Sequence, residues 1–351
     1  MSGILWNIML LVLAFIAPAQ AQNEPIKLRL SMQFAANEPF IGMSALQYKM
    51  DAEKAAANSL TLEIFDKGRL YIDDQVLDAV KSGAIEMGIV GINQIAKVVP
   101  AASILEQPFV FNFDALVRAA TSSDSEMRQL IDDAVLKSAG LRVLWWATIG
   151  RQVLFSKNGD LQMPSRLQGL KVRAFSETMA RFVKQCEGVP IDVSISKIHQ
   201  ALEDGTLDMG MASASAVQSR DLWQVTKAIT RTDHASIEFL VVVNEKTWQS
   251  LSDTHKRLLM ETAAKVEREA RERAYQLETA AYEFARSKGM TVYDLAPSEV
   301  VEWRACSSDV TSDYLDQGGE LAQRLMKAYA KLRMQPCCSK GPSPHANLSG
   351  Q

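Results

Sequence analysis

Between Asp253 and Lys288 the chain carries neither glycine nor proline, and Ala, Glu, Arg and Leu dominate. Nothing in such a stretch ends a helix, so the sequence predicts a single helix over 253–288, about 54 Å long at 1.5 Å per residue. One small domain cannot cover a helix of that length, which is therefore expected to brace two. A coiled coil would need unbroken apolar heptads, and these fail at Glu267-Arg268-Glu269 and Arg271-Glu272-Arg273.

The segments before it alternate strand and helix. Ile26 to Met32 and Leu60 to Phe65 alternate apolar and polar residues, and Ile85 to Val90 is an apolar run. Helical spacing falls between them, at Phe40 to Ala57 and at Asp73 to Ser82, the latter closed by Gly83. This rhythm predicts an α/β fold. A second α/β unit follows, with strands at 141–147, 170–174, 190–193 and 207–212, a helix at 196–203 and a further strand at 236–244. In such sheets ligands gather beyond the C-terminal strand ends. The loops 34–39 and 91–94 are therefore candidate walls, with Phe34, Asn37 and Asn93 as candidate ligand contacts.

Residues 4–16 are apolar but short for a membrane span, and Ala19-Gln20-Ala21 reads as a small-x-small cleavage site. The expected reading of 1–21 is a secretory signal peptide, leaving about 330 residues, enough for two domains. The expected location is the periplasm, with no membrane insertion after cleavage. A formal net charge of −3 gives no basic face for nucleic acid. The four cysteines, Cys186, Cys306, Cys337 and Cys338, fit no zinc spacing, and export permits disulfides without requiring them. Asn347-Leu348-Ser349 matches a glycosylation sequon, a pattern common by chance.

Arg173 closes the strand Leu170-Lys171-Val172-Arg173, and Ser176 is placed to cap the helix after it. A guanidinium fork beside a helix N-terminus suits a carboxylate. Taken alone, an arginine so placed also fits a surface ion pair. Trp146 fits either a pocket wall or core packing. Catalytic patterns are thin. Ser194-Ile195-Ser196-Lys197 has Ser-x-x-Lys spacing but lacks the companion motifs of penicillin-binding proteins, and the four histidines are scattered without metal spacing. No phosphate loop or nucleophile elbow occurs, so neither an enzyme nor a cofactor is expected.

In order and spacing, several segments resemble the solute-binding proteins of tripartite ATP-independent periplasmic (TRAP) transporters, of the dicarboxylate and sialic-acid type. They are Leu70 with Val76 to Met87, Val99-Pro100, Gln107 to Phe111, Gly150-Arg151-Gln152, Leu167 to Arg173, Gln200 to Asp208, and Val243 to Leu251. The resemblance implies a two-lobed, Venus-flytrap α/β fold with the long helix spanning both lobes. Lobe I would take 22–148 and 237–276, lobe II 149–236 and 277–334, with 335–351 a disordered tail. It also implies capture of a small carboxylate for membrane permease subunits; a sensor docking on a receptor ectodomain is the same fold with another output. Arg173 would form the salt bridge to the ligand carboxylate, Arg151 would assist, and Ser176 would line the same pocket. The chain departs from the family pattern at Tyr71, Lys197, His199 and Ala212. At Ala212 the family has an asparagine, whose hydrogen bond Ser213 or Ser215 would have to replace.

Overall fold

The computed structural model describes residues 24–159 and 161–339. The expected signal segment, the tail beyond Ser339 and the sequon lie outside these residues. Ten strands are present among them: β1 Ile26–Ser31, β2 Leu60–Phe65, β3 Met87–Gly91, β4 Leu141–Ser156, β5 Lys171–Arg173, β6 Val189–Ile191, β7 Met209–Ser213, β8 Ala228–Arg231, β9 Ser236–Asn244 and β10 Thr291–Asp294. The main order is β2-β1-β3-β9-β4-β7-β5-β6, with β8 joining β4 to β10. β1 pairs in parallel with β2 and β3, and β5 with β6 and β7, whereas β9 and β4 run antiparallel to their neighbours. β3 and β7 are buried along their whole length, as central strands covered on both faces must be.

Two lobes share this framework. β4 is far longer than the expected 141–147. Its first part pairs with β9, and Gln152 to Ser156 pair with β7 in the second lobe. The chain stays extended because a bulge between Thr148 and Gly150 absorbs an extra residue. Gly150 has φ 112°, and a Cβ there would come within 3.3 Å of the Glu278 carboxyl carbon. In the sequence, Thr148-Ile149-Gly150 reads as a strand end; in the fold it is a bend within one strand.

The long helix runs Asp253–Ser287, capped by the Ser252 hydroxyl, which accepts from the His255 N–H. Its Leu259, Ala263 and Val266 join the core formed by β1, β2 and the outer face of β9. Its Ala281, Tyr282 and Ala285 join a second-lobe core with Phe155 and Leu202. One helix thus packs on both lobes, as its length requires. The second lobe is also tied by a Cys186–Cys306 disulfide, which no spacing argument pairs.

The C-terminal helix Ser308–Arg333 departs from the expected partition. It kinks at Gly319 (φ 58°, ψ −146°), a conformation open essentially to glycine alone. Val310 lies in the second-lobe core, but Tyr314, Ala322, Leu325, Ala328 and Leu332 lie in the core of the first. Cys338, expected in a disordered tail, is buried there too. The Gly318-Gly319 pair marks a break but not which lobe the chain joins beyond it, and the resemblance places 277–334 in one lobe.

Candidate functional site

A cavity of about 910 Å³ lies between the lobes. One wall comes from the loop after β1, with Phe34, Asn37 and Glu38, and from the end of β3 and the short helix Ile92–Ile95 that follows it, with Gly91 and Asn93; Asp73 and Glu106 complete it. The opposite wall carries Arg173, Phe175, Ser176 and Ser194, with Ser213 at the end of β7 and Ser215 and Arg220 beyond it. Ser236 to Phe239 of β9 and Leu277, Ala280 and Ala281 of the long helix close the base. Both segments marked by the strand-end rule are on this surface, although 91–94, expected as a loop, is the end of β3 and the start of a helical turn.

Arg173 is 5% exposed. Its Nε donates to the Val193 carbonyl (2.7 Å) and Nη1 to the Met211 carbonyl (2.6 Å), and its guanidinium lies 4.8 Å over the Phe175 ring. These contacts aim the fork, but no carboxylate of the described residues forms an ion pair with it. Burial pulls its pKa down to about 10, while the more distant charges of Asp73 and Asp192 push the other way. A buried cation without a counter-ion is costly, and a ligand carboxylate would offset that cost.

Ser176 caps the helix Glu177–Gln185, its Oγ accepting from Met179 N–H at 3.2 Å. Its hydroxyl lies near enough to the Glu106 carboxyl to favour that group's charged form, against the effect of burial. Burial pushes Glu106 up to about 8, and its Oε2 has no hydrogen-bond partner. Asn93 Nδ2 donates to the Phe175 carbonyl (3.2 Å), and Ser194 Oγ donates to Asp73 (3.3 Å), so the walls also touch at these two points. The Ser213 and Ser215 hydroxyls bond each other at 2.7 Å, and Phe34 packs edge-on to Phe239 with ring centroids 4.9 Å apart. Asn37 lies on the wall and is exposed.

Two expected contacts lie elsewhere. Arg151 is absent from the cavity lining and faces Glu278 at 3.4 Å, with Asp114 and Asp233 each at 3.7 Å. Burial opposes its charge, but Asp233, Glu278 and Asp114 together outweigh that and hold its pKa above the ordinary value. Trp146 is a core residue, 1% exposed, whose indole N–H donates to Asp132 at 2.8 Å. Its neighbour Trp145 points into the other core of the same lobe, as strand alternation dictates. The Ser-x-x-Lys spacing is not realised as a nucleophile–base pair, because Ser194 bonds Asp73 and Ser196.

Several lining residues escaped the sequence reading. Glu38 lies in a candidate loop; its carboxylate accepts from the N–H groups of Phe40, Ile41 and Gly42 at the start of the first helix. Glu106 stands beside Gln107 between the apolar pairs Ile104-Leu105 and Pro108-Phe109, a setting that points to a buried carboxyl. Arg220 follows β7 by a few residues, and the strand-end rule would have reached it had the loop been taken further.

Comparison with known proteins places this architecture. The family of bacterial extracellular solute-binding proteins, family 7 (DctP), matches residues 30–317. The C4-dicarboxylate-binding periplasmic protein DctP of Rhodobacter capsulatus is 27% identical over 244 residues, covering 69% of this chain and 71% of that protein. The C4-dicarboxylate-binding protein DctB of Bacillus subtilis is 22% identical over 309 residues, covering 87% of each. Among solved structures, the Bordetella pertussis solute receptor DctP7, which binds pyroglutamic acid, superposes with a TM-score of 0.82 at 19% identity, covering 87% of this chain and 99% of that one. A TRAP solute-binding protein from Roseobacter denitrificans with bound β-D-glucuronate gives 0.81 at 21% identity, with the same coverage.

Proposed function

The chain belongs to the bacterial extracellular solute-binding protein family 7, and on that premise we propose that it captures a small organic acid in the periplasm and passes it to the membrane permease of a TRAP transporter. One observation carries the choice of ligand class: Arg173, buried on the cavity wall, has no carboxylate of its own among the described residues. The relatives' named ligands, a C4-dicarboxylate, pyroglutamate and glucuronate, have a carboxylate in common.

Binding proceeds by hinge closure. The acid enters the open cleft and its carboxylate takes the Arg173 fork in a bidentate pair. The first-lobe wall then closes over it, and the ligand favours the closed form by its greater affinity for that form. The bend at Thr148 to Gly150 in β4 marks the hinge, and residues before and after it belong to different lobes. Asn93 to Phe175 and Ser194 to Asp73 are the contacts that hold the closed state. Ser176, Ser213, Ser215, Asn93, Asn37 and Phe34 complete the ligand's surroundings. The protein is a carrier and not a catalyst in this reading, with Ser194 acting in closure.

Thermal unfolding of refolded, ligand-free protein against carboxylates and their neutral amides tests the proposal. At a hundredfold excess over Kd, a true ligand adds about 2.7 kcal/mol of stability. Stabilisation by an acid and not by its amide is the expected result. Equal stabilisation by both would remove Arg173 from its role.

A further inference from the structure

Glu106 is the cavity acid to which carboxylate capture gives no task. It ends the turn Pro100–Glu106 and stands at the seam between the lobes. Ile104 and Leu105, just before it, lie in a first-lobe core. Phe109, just after it, lies in a second-lobe core, and its N–H donates to the His234 carbonyl at 2.6 Å. The Glu106 side chain is on the cavity wall yet only 2% exposed, and its Oε2 has no hydrogen-bond partner among the described residues. Ser176, at the head of the second-lobe helix Glu177–Gln185, stands near it from the other side. Both lobes therefore cover Glu106, and parting them returns its carboxyl to water.

No cation answers this acid. The elements packed against its turn bring Lys97, Glu177 and Glu238 to the same cavity, Tyr314 to the Ala101 carbonyl of the turn itself, and the Arg181–Asp313 pair between two helices. None of these acts on the Glu106 charge: burial raises its pKa to about 8, and the Ser176 hydroxyl alone opposes that. The other buried acids of the cavity differ in having donors for their anions. Glu38 accepts from three backbone N–H groups, and Glu238 accepts from the Ser236 and Thr148 hydroxyls. An ionised Glu106 would also add an anion to the cavity that receives a carboxylate.

We propose that Glu106 is a proton-binding site that loads when the cleft closes, so that the protein captures a proton together with its acid. The proposal rests on the hinge-closure reading above. The proton comes from solvent or buffer, stays on the Glu106 carboxyl in the closed form, and returns to solvent when the lobes part. The closed form binds this proton more tightly than the open one. Closure is therefore favoured at low pH, and the gain is lost as pH rises toward 8. The captured acid is held more firmly in an acidified medium and released more readily in an alkaline one.

Calorimetry of wild type and Glu106→Gln tests this, with succinate, pyroglutamate and glucuronate in buffers of different ionisation enthalpy at about pH 6, 7 and 9. Wild type is expected to take up about one proton per acid bound at pH 6 and 7 and little at pH 9, with affinity falling about tenfold per pH unit below 8. Glu106→Gln, a neutral stand-in of the same shape, should bind with no uptake and an affinity that does not change with pH. Wild type alone can overturn the proposal, by binding at about pH 7 with no proton uptake. Uptake that survives in Glu106→Gln also overturns it, and would move the proton to another acid such as Glu38. If none of the three acids binds wild type at any pH, the carboxylate reading falls and takes this proposal with it, so the two failures are distinguishable.

Discussion

Arg151 and Arg173 are two buried arginines of one protein, and their surroundings are opposites. Arg151 faces Asp114, Asp233 and Glu278 beside the bend in β4, and its pKa is held above the ordinary value. Arg173 has two backbone carbonyls and an aromatic face, no carboxylate partner among the described residues, and a pKa pulled down to about 10. A cation whose counter-charge is built into the chain holds the structure together. One with no counter-charge among the described residues fits the proposed role of taking it from a ligand. Burial alone does not tell them apart; the inventory of carboxylates within reach does.

The contrast breaks most visibly at Arg151. Removing it by Arg151→Ala leaves up to three carboxylates without their cation, and unfolding free energy should drop by about 3–5 kcal/mol. Denaturant titration reads this, and unchanged stability would show that the cluster is ornamental. Arg173→Ala should act on the other quantity. Ligand affinity is expected to weaken by about 2–4 kcal/mol, the cost of deleting one partner of a buried charge pair, with stability of the ligand-free protein unchanged or improved.

Lysine substitutions sharpen the comparison. Arg173→Lys keeps the charge and loses the fork, so calorimetry should show an affinity loss of about 1–2 kcal/mol. Arg151→Lys should cost less than Arg151→Ala, since the three carboxylates need mainly the charge. Equal effects of Lys and Ala at either site would contradict its assignment.

Glu106 gives an effect that is read as a dependence on pH. Its pKa is raised from 4.5 to about 8 by burial, so the folded state binds its proton more tightly than the unfolded chain. The stability this confers is fully present below about pH 4.5 and is lost as pH rises toward 8. Denaturation midpoints measured at about pH 5, 7 and 9 should fall for wild type and fall less for Glu106→Gln. Parallel slopes would place the proton elsewhere.

The sequence was most legible where local chemistry decides. Ser176 caps its helix because a hydroxyl before Glu177 can accept from the first turn, and the 34–39 and 91–94 segments are walls because they lie at strand ends. The long helix is readable from the absence of helix breakers. What escaped depends on distant groups. The carboxylates around Arg151 come from Asp114, Asp233 and Glu278, each remote in the chain. Gly150 looks like a strand end until its bulge is seen. Cys186 and Cys306 are separated by 120 residues, and only the packed second lobe brings them together.

The kink at Gly319 carries a consequence for how the chain is made. The first lobe begins with β1 and β2, yet Ala322, Leu325, Ala328 and Leu332 fill its core. The second lobe likewise waits for Trp303 and Val310. Domains made in sequence usually fold in sequence, N-terminal first. Here the helix Ser308–Arg333 contributes to both cores, so neither core is complete until that helix is in place.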